Sequence, residues 1–220
     1  MSTIRFDTVV FDLDGTVADT APDLAAALNH VLEAIGRTPL PLAAVRTMIG
    51  HGARALLRTG LAATGEVDDG LVATHYPALL RFYEEHICDL TQPYPHVEAA
   101  FDALTAQGIE IALCTNKPDR MTRLLLNALG WQERFVTVVA GDTLPVSKPD
   151  PAPLALAIER AGGGVAAFVG DTIVDVETAK AAGVPCIAVS FGFADRRAAA
   201  LGADRVIDSF DELLPALATL

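Results

Sequence analysis

Two kinds of apolar pattern divide the chain. Short, nearly continuous β-leaning runs occur at 8–11 (TVVF), 109–114 (IEIALC), 135–139 (FVTVV), 167–169 (AFV) and 186–189 (CIAV). A run that is apolar throughout, instead of at every second position, suits a strand buried on both faces of a parallel sheet. One helix-like segment precedes each run after the first, at 97–107, 119–129, 151–161 and 174–182. This alternation predicts an α/β fold with a doubly wound, mostly parallel, Rossmann-like sheet. A last helix at 211–217 is expected to pack against it, and the GGG at 162–164 reads as a helix-to-strand loop.

The stretch from 20 to about 85 breaks the alternation, because it reads as helix alone. Thr20-Ala-Pro-Asp23 resembles a capping box with proline in the first turn. Leu24, Leu28, Val31 and Ile35 then form one apolar stripe, and Gly36 suits the stop. Further helices are expected at 42–48, 53–63 and 71–86. About 65 residues is too long for a strand-to-helix connection. The segment is therefore read as an inserted all-helical cap at 18–90 in a catalytic core of 1–17 and 91–220. The junctions near 17–19 and 90–95 would be hinges.

The 220 residues are 51% apolar and 20% charged, ordinary for a globular chain able to bury a core. A net charge of −12 argues against nucleic acid or an anionic membrane as partner. It also requires local positive charge or a metal wherever an anion is to bind. The opening MSTIRFD lacks the features of a signal peptide, and no apolar run has transmembrane length. Cys88, Cys114 and Cys186 lie far apart in or near apolar runs and suit reduced, structural thiols in the cytoplasm.

The first run ends in Asp12-Leu-Asp14-Gly15-Thr16. Ligands of a parallel sheet collect at the carboxyl ends of its strands. Spacing of i, i+2 lets both carboxylates lean to one side. Alone, such a pair is equally well a polar strand end. The other strand ends change this: Thr115-Asn116-Lys117-Pro118 offers a hydroxyl, an amide and free N–H groups suited to phosphate oxygens. Ser147-Lys148-Pro149-Asp150 offers a lysine, and Gly170-Asp171-Thr172-Ile-Val-Asp175 two more acids. Chance loops rarely supply such a set in order.

The stretches DLDGT at 12–16, TN at 115–116, KP at 148–149 and GDTIVD at 170–175 resemble the signature motifs of the haloacid-dehalogenase-like hydrolase superfamily. The insert after the first motif looks like that family's alpha-helical cap. The likeness spans the chain and is nearest to bacterial phosphoglycolate phosphatases, through DLDGTVADTAPDL, MIGHGARALL, YPHVEAAFDAL, TNKPDRMTRLLL, FGFADR and DELLPAL.

The resemblance implies that Asp12 is the nucleophile forming an aspartyl-phosphate. Asp14 would be the acid that protonates the leaving alkoxide and then activates water, its carbonyl binding metal. Thr115, Asn116 and Lys148 would bind phosphate. Asp171 would be a direct metal ligand, and Asp175 would hold the metal's waters or orient Lys148. Four carboxylates cannot share a cleft with a phosphate dianion without cations. Oxygen ligands and phosphate chemistry point to Mg²⁺ beside Lys148. Neighbouring carboxylates titrate as a coupled pair, which would favour a protonated Asp14.

Substrate choice would fall to the cap, where Gly50, His51, Gly52 and Arg54 are candidates; a plain turn with a solvated Arg54 is the other reading. His30, His75, His86 and His96 lack metal-ligand spacing, and the insert's Met and aromatic residues suit core positions. The partner is expected to be a small phosphorylated metabolite such as 2-phosphoglycolate, acted on by a monomer or homodimer. A sugar phosphate, a nucleoside monophosphate or pyrophosphate is an alternative substrate, and a phosphosugar mutase an alternative enzyme. A phospho-accepting signalling module or a silent phosphate-binding scaffold are non-enzymatic readings. The inserted cap and Asp14 argue against the first, and the full set of catalytic residues against the second.

Overall fold

The computed structural model describes residues 4–194 and 197–220. Strand β1 (Thr8–Phe11) leads into a two-residue strand β2 (Ala18–Asp19) and then four helices. These are α1 (Ala21–Ala34), α2 (Leu42–Arg46), α3 (Ala53–Thr64) and α4 (Asp69–Glu85). The chain returns through β3 (Gln92–Pro93) to α5 (Val97–Thr105), β4 (Glu110–Cys114), α6 (Asp119–Ala128) and β5 (Thr137–Val139). Then follow α7 (Ala152–Arg160), β6 (Ala166–Gly170), α8 (Ile173–Ala182) and β7 (Cys186–Val189). Last come β8 (Arg205–Ile207) and, after a 3₁₀ turn at Phe210–Glu212, the short α9 (Leu213–Leu217).

Six parallel strands run in the order β5-β4-β1-β6-β7-β8. Successive side chains of a strand point to opposite faces. Val9 and Phe11 accordingly join one apolar cluster with α5 residues Val97 and Phe101, while Val10 joins another with Leu154 of α7 and Val176 of α8. With both faces covered, every β1 residue is buried, which is why its run carries no polar alternation. The chain leaves β1 for β4 on one side and reaches β6 on the other. That reversal opens a crevice at the strands' carboxyl ends.

Helices α1–α4 bury a third cluster, with Leu28, Leu57, Leu61 and Leu79 fully enclosed. It extends to Met121 and Phe193 from the sheet side. Gly60 of α3 faces Leu28 so closely that a Cβ would lie 2.6 Å from its Cδ1. None of the described helices is long and apolar enough to cross a membrane. Cys88, Cys114 and Cys186 are free thiols; burial pushes the Cys114 thiol up to about 12.

One expectation needs correction, and two short elements add to the reading. The capping box at 20–23 does not form: Thr20 makes no capping bond. Asp23 instead accepts from Leu90 N (3.0 Å), Thr91 N (2.8 Å) and the Thr91 hydroxyl (2.7 Å). The Thr91 amide and hydroxyl are buried in the second junction and need an acceptor more than the helix end does. The two junctions also pair as the antiparallel ribbon β2–β3, with Ala18 opposite Pro93 and Asp19 opposite Gln92. Finally, β8 adds a sixth strand whose three residues are too few to show a run.

Candidate active site

Register alone assembles the first half of the site. Phe11 lies opposite Leu113 of β4 and Val169 of β6, so Asp12, Thr115 and Asp171 emerge within one residue of a common level. The Asp12 amide donates to Val169 O (2.9 Å) and the Thr115 amide to Val139 O (3.0 Å), holding both at their strand ends. Past Asp14 the chain turns sharply, with Leu13 O accepting from the Val17 (3.1 Å) and Ala18 (3.2 Å) amides. Gly15 has φ of +86°, and a Cβ there would stand 2.3 Å from Asp171 Oδ2 and 2.7 Å from the Phe193 ring. Only glycine permits this turn. It also lets Thr16 Oγ1 donate to Asp171 Oδ1 (3.1 Å), while the Phe193 amide donates to Oδ2 (2.6 Å).

Lys148 projects from the loop after β5. Its Nζ is 2.7 Å from Asp175 Oδ1 and 2.9 Å from Asp12 Oδ1. Burial works against the ammonium, but the two carboxylates outweigh it and keep Lys148 protonated. Asp175 is saturated. Its other oxygen accepts from the Asp171 amide (3.2 Å), the Thr172 amide (3.0 Å) and the Thr172 hydroxyl (2.9 Å), closing a capping box at the start of α8.

Asp12 and Asp171 are differently placed. The contact from Lys148 to Asp12 Oδ1 is off the hydrogen-bonding direction, so this buried oxygen has an ion-pair neighbour but no hydrogen bond. Burial pushes the Asp12 carboxyl up to about 7 against the pull of Lys148, with Asp175 and Asp14 adding to the rise. Burial, then Asp175 and Asp12, raise Asp171 well above the carboxylate range. Oxygens of Asp12, Asp171 and Asp175 all lie within 4.8 Å of one another. Crowded acids, an unbonded buried oxygen and oxygen-only donors fit a divalent hard cation.

The Thr115-Asn116-Lys117 tripeptide faces the helices. The Asn116 amide is committed: Nδ2 donates to Gly50 O (3.2 Å) and Lys148 O (3.0 Å), and Oδ1 accepts from the Lys148 amide (2.9 Å). Lys117 Nζ donates to Asp14 Oδ1 (2.9 Å) and to the Tyr83 hydroxyl on α4 (2.6 Å). Asp14 thus meets an ammonium. These groups line a small cavity of about 30 Å³ between sheet and helices, walled by Leu24, Ile49, Leu56, Leu80 and Met121. Gly50 and Gly52 line it too. His51 and Arg54 do not: both are exposed, and Arg54 stacks over the Tyr76 ring at 5.1 Å. In FGFADR, Asp195 and Arg196 lie outside the described residues, as do residues 1–3 of MSTIRFD.

Lys117 and Tyr83 were not foreseen as site residues. For Lys117 a signal existed: the chain has only three lysines, and two of them follow strand ends. Tyr83 gave none, since an aromatic on a helix is ordinarily core, and its ring is indeed buried in the helical cluster.

The fold and this set of acids and lysines at the strand ends define a hydrolase of phosphomonoesters. The family model described as haloacid dehalogenase-like hydrolase matches residues 9–189, and the chain belongs to that family. It is 42% identical over 219 residues to a phosphoglycolate phosphatase of Caulobacter vibrioides, covering 97% of this chain and 91% of that one. Phosphoglycolate phosphatase 1 of Pseudomonas aeruginosa is 43% identical over 213 residues, covering 94% and 78%. A crystal structure from Haemophilus somnus, described as a predicted phosphoglycolate phosphatase, superposes with a TM-score of 0.90 at 29% identity, covering 96% and 97%.

Proposed function

We propose that this phosphomonoester hydrolase acts on 2-phosphoglycolate, with Mg²⁺, through a phosphoryl group carried on Asp12. The observation that supports it most is the Asp12 carboxylate, buried beside Lys148 and Asp171 with one oxygen free of hydrogen bonds. Asp12, Asp171 and the Asp14 carbonyl would hold Mg²⁺, which when bound supplies charge neutralisation at the phosphoryl oxygens. Asp12 attacks phosphorus while Lys148 and Thr115 hold the equatorial oxygens. Asp14, steadied through Oδ1 by Lys117, protonates the departing alkoxide from Oδ2 and later takes a proton from the attacking water. Asp175 orients Lys148 and caps α8, and the Asn116 side chain ties the Gly50 and Lys148 loops together.

In this reading 18–90 is a cap on a core of 1–17 and 91–220, its hinges the β2–β3 ribbon. Gly50 and Gly52 bring cap backbone to the cavity, which closes over the leaving group and excludes water. Phosphate release from a panel of small phosphorylated metabolites tests the proposal. 2-Phosphoglycolate should rank among the best by kcat/KM, and a sugar phosphate or nucleoside monophosphate far ahead of it would overturn the substrate.

A further inference from the structure

Lys117 is a buried cation with bonding capacity to spare, set one short group beyond the point of proton transfer. An ammonium has three donors. Two are spent, on Asp14 Oδ1 at 2.9 Å and on the Tyr83 hydroxyl at 2.6 Å. The third has no acceptor among the described residues. Tyr83 accepts from Lys117, so its own proton is also unspent, and burial raises the phenol well above its ordinary value and keeps that proton in place. Lys117 is the one cation among the described residues lining the cavity, whose remaining walls are largely apolar. Two unspent donors, one of them charged, meet beside the apolar walls of the cavity.

We propose that Lys117 and Tyr83 form the clamp that recognises a carboxylate on the substrate's leaving group. The inference rests on the 2-phosphoglycolate reading and deepens it by naming what reads the acid. Asp14 must reach the ester oxygen to protonate it. A carboxylate joined to that oxygen by a single methylene then falls beside the lysine that already touches Asp14. One oxygen accepts from the ammonium and the other from the phenol, a two-point, charge-assisted contact. The arrangement also links recognition to closure. Lys117 comes from the sheet side and Tyr83 from α4, so a substrate acid adds a second bridge beside their own 2.6 Å bond, and a phosphate ester lacking one leaves the pair with donors unmet. Arg54 and His51, exposed and outside the cavity, take no part.

The test compares 2-phosphoglycolate with its carboxamide, which has the same shape but no charge, in the parent protein and in Lys117→Met and Tyr83→Phe. The parent should prefer the acid about 100-fold by kcat/KM, the scale of a buried charged hydrogen bond. Lys117→Met should bring that ratio near one. Tyr83→Phe, which keeps the ammonium and buried ring, should lower it about tenfold while the fold, checked by circular dichroism, is retained. If the parent prefers the acid and both variants keep the full ratio, the clamp is refuted while the substrate stands. Equal losses on both compounds would make Lys117 a positioning residue for Asp14 and also refute it. A parent ratio near one overturns clamp and substrate together.

Discussion

Replacing Asp175 with alanine deprives four donors of their acceptor at once: Lys148 Nζ, the amides of Asp171 and Thr172, and the Thr172 hydroxyl. The side chain is 1% exposed, so water cannot take its place. The charge-assisted lysine bond contributes about 2 kcal/mol, and stranding the buried donors about 1 kcal/mol more. Losing the helix cap costs about 1 kcal/mol. Asp175 also repels Asp12 and Asp171, so its removal from the metal-free protein returns about 1 kcal/mol. The net loss is about 3 kcal/mol, a fall in Tm of about 6–12 °C for a chain this size. Thermal denaturation followed by circular dichroism reads this, and calorimetric titration reads Mg²⁺ affinity, expected to fall about 10–100-fold but not to vanish. Asp171→Asn should do the reverse, folding well and losing Mg²⁺. An Asp175→Ala protein that keeps its Tm but loses Mg²⁺ as completely as Asp171→Asn would make Asp175 a direct ligand and refute the reasoning.

Three further outcomes are expected. Asp23→Ala leaves the Leu90 and Thr91 amides and the Thr91 hydroxyl without their acceptor. It should cost about 3 kcal/mol in urea denaturation, and a loss below about 1 kcal/mol would show that the junction does not depend on it. Gly15→Ala forces a Cβ to 2.3 Å from Asp171 Oδ2 at a φ of +86°. It should lower Tm and weaken Mg²⁺ binding together, and a protein with parental values for both would contradict the packing. A carboxyl that folding raises from 3.8 to about 7, as at Asp12, favours the folded state only while protonated. The metal-free protein should therefore lose stability as pH rises through that interval. Mg²⁺ needs ionised carboxylates, so the Tm gained on adding it should grow over the same range. A gain that is constant with pH would contradict the Asp12 environment.

The runs at 8–11 and 186–189 became strands with those bounds, because strands buried on both faces advertise themselves by composition alone. The strand-end residues Asp12, Thr115, Lys148 and Asp171 were visible for a related reason: polar groups have no place beside such runs unless the topology brings them to one crevice. What stayed hidden depended on contacts between distant segments. Asp23 looked like a local cap, and only the approach of residues 90–91 shows it to be the junction's acceptor. Tyr83 resembled core because its ring is core, while its hydroxyl meets a lysine 34 residues away. The capping box was real in kind but stood at Thr172–Asp175, where the fourth residue of the motif also serves Lys148. Strand β8 is three residues long and draws its existence from pairing with β7.

Transfer of the phosphoryl group to Asp12 is tested most directly by trapping it. The Asp14→Asn variant, mixed with Mg²⁺ and an aryl phosphate, whose leaving group departs without needing a proton from Asp14, and quenched in acid, should carry the mass of one phosphoryl group on the peptide containing Asp12, because attack proceeds while water is no longer activated. The Asp12→Asn variant should carry none and release no phosphate. Phosphate release that persists in Asp12→Asn, with no adduct in Asp14→Asn, would contradict the covalent route.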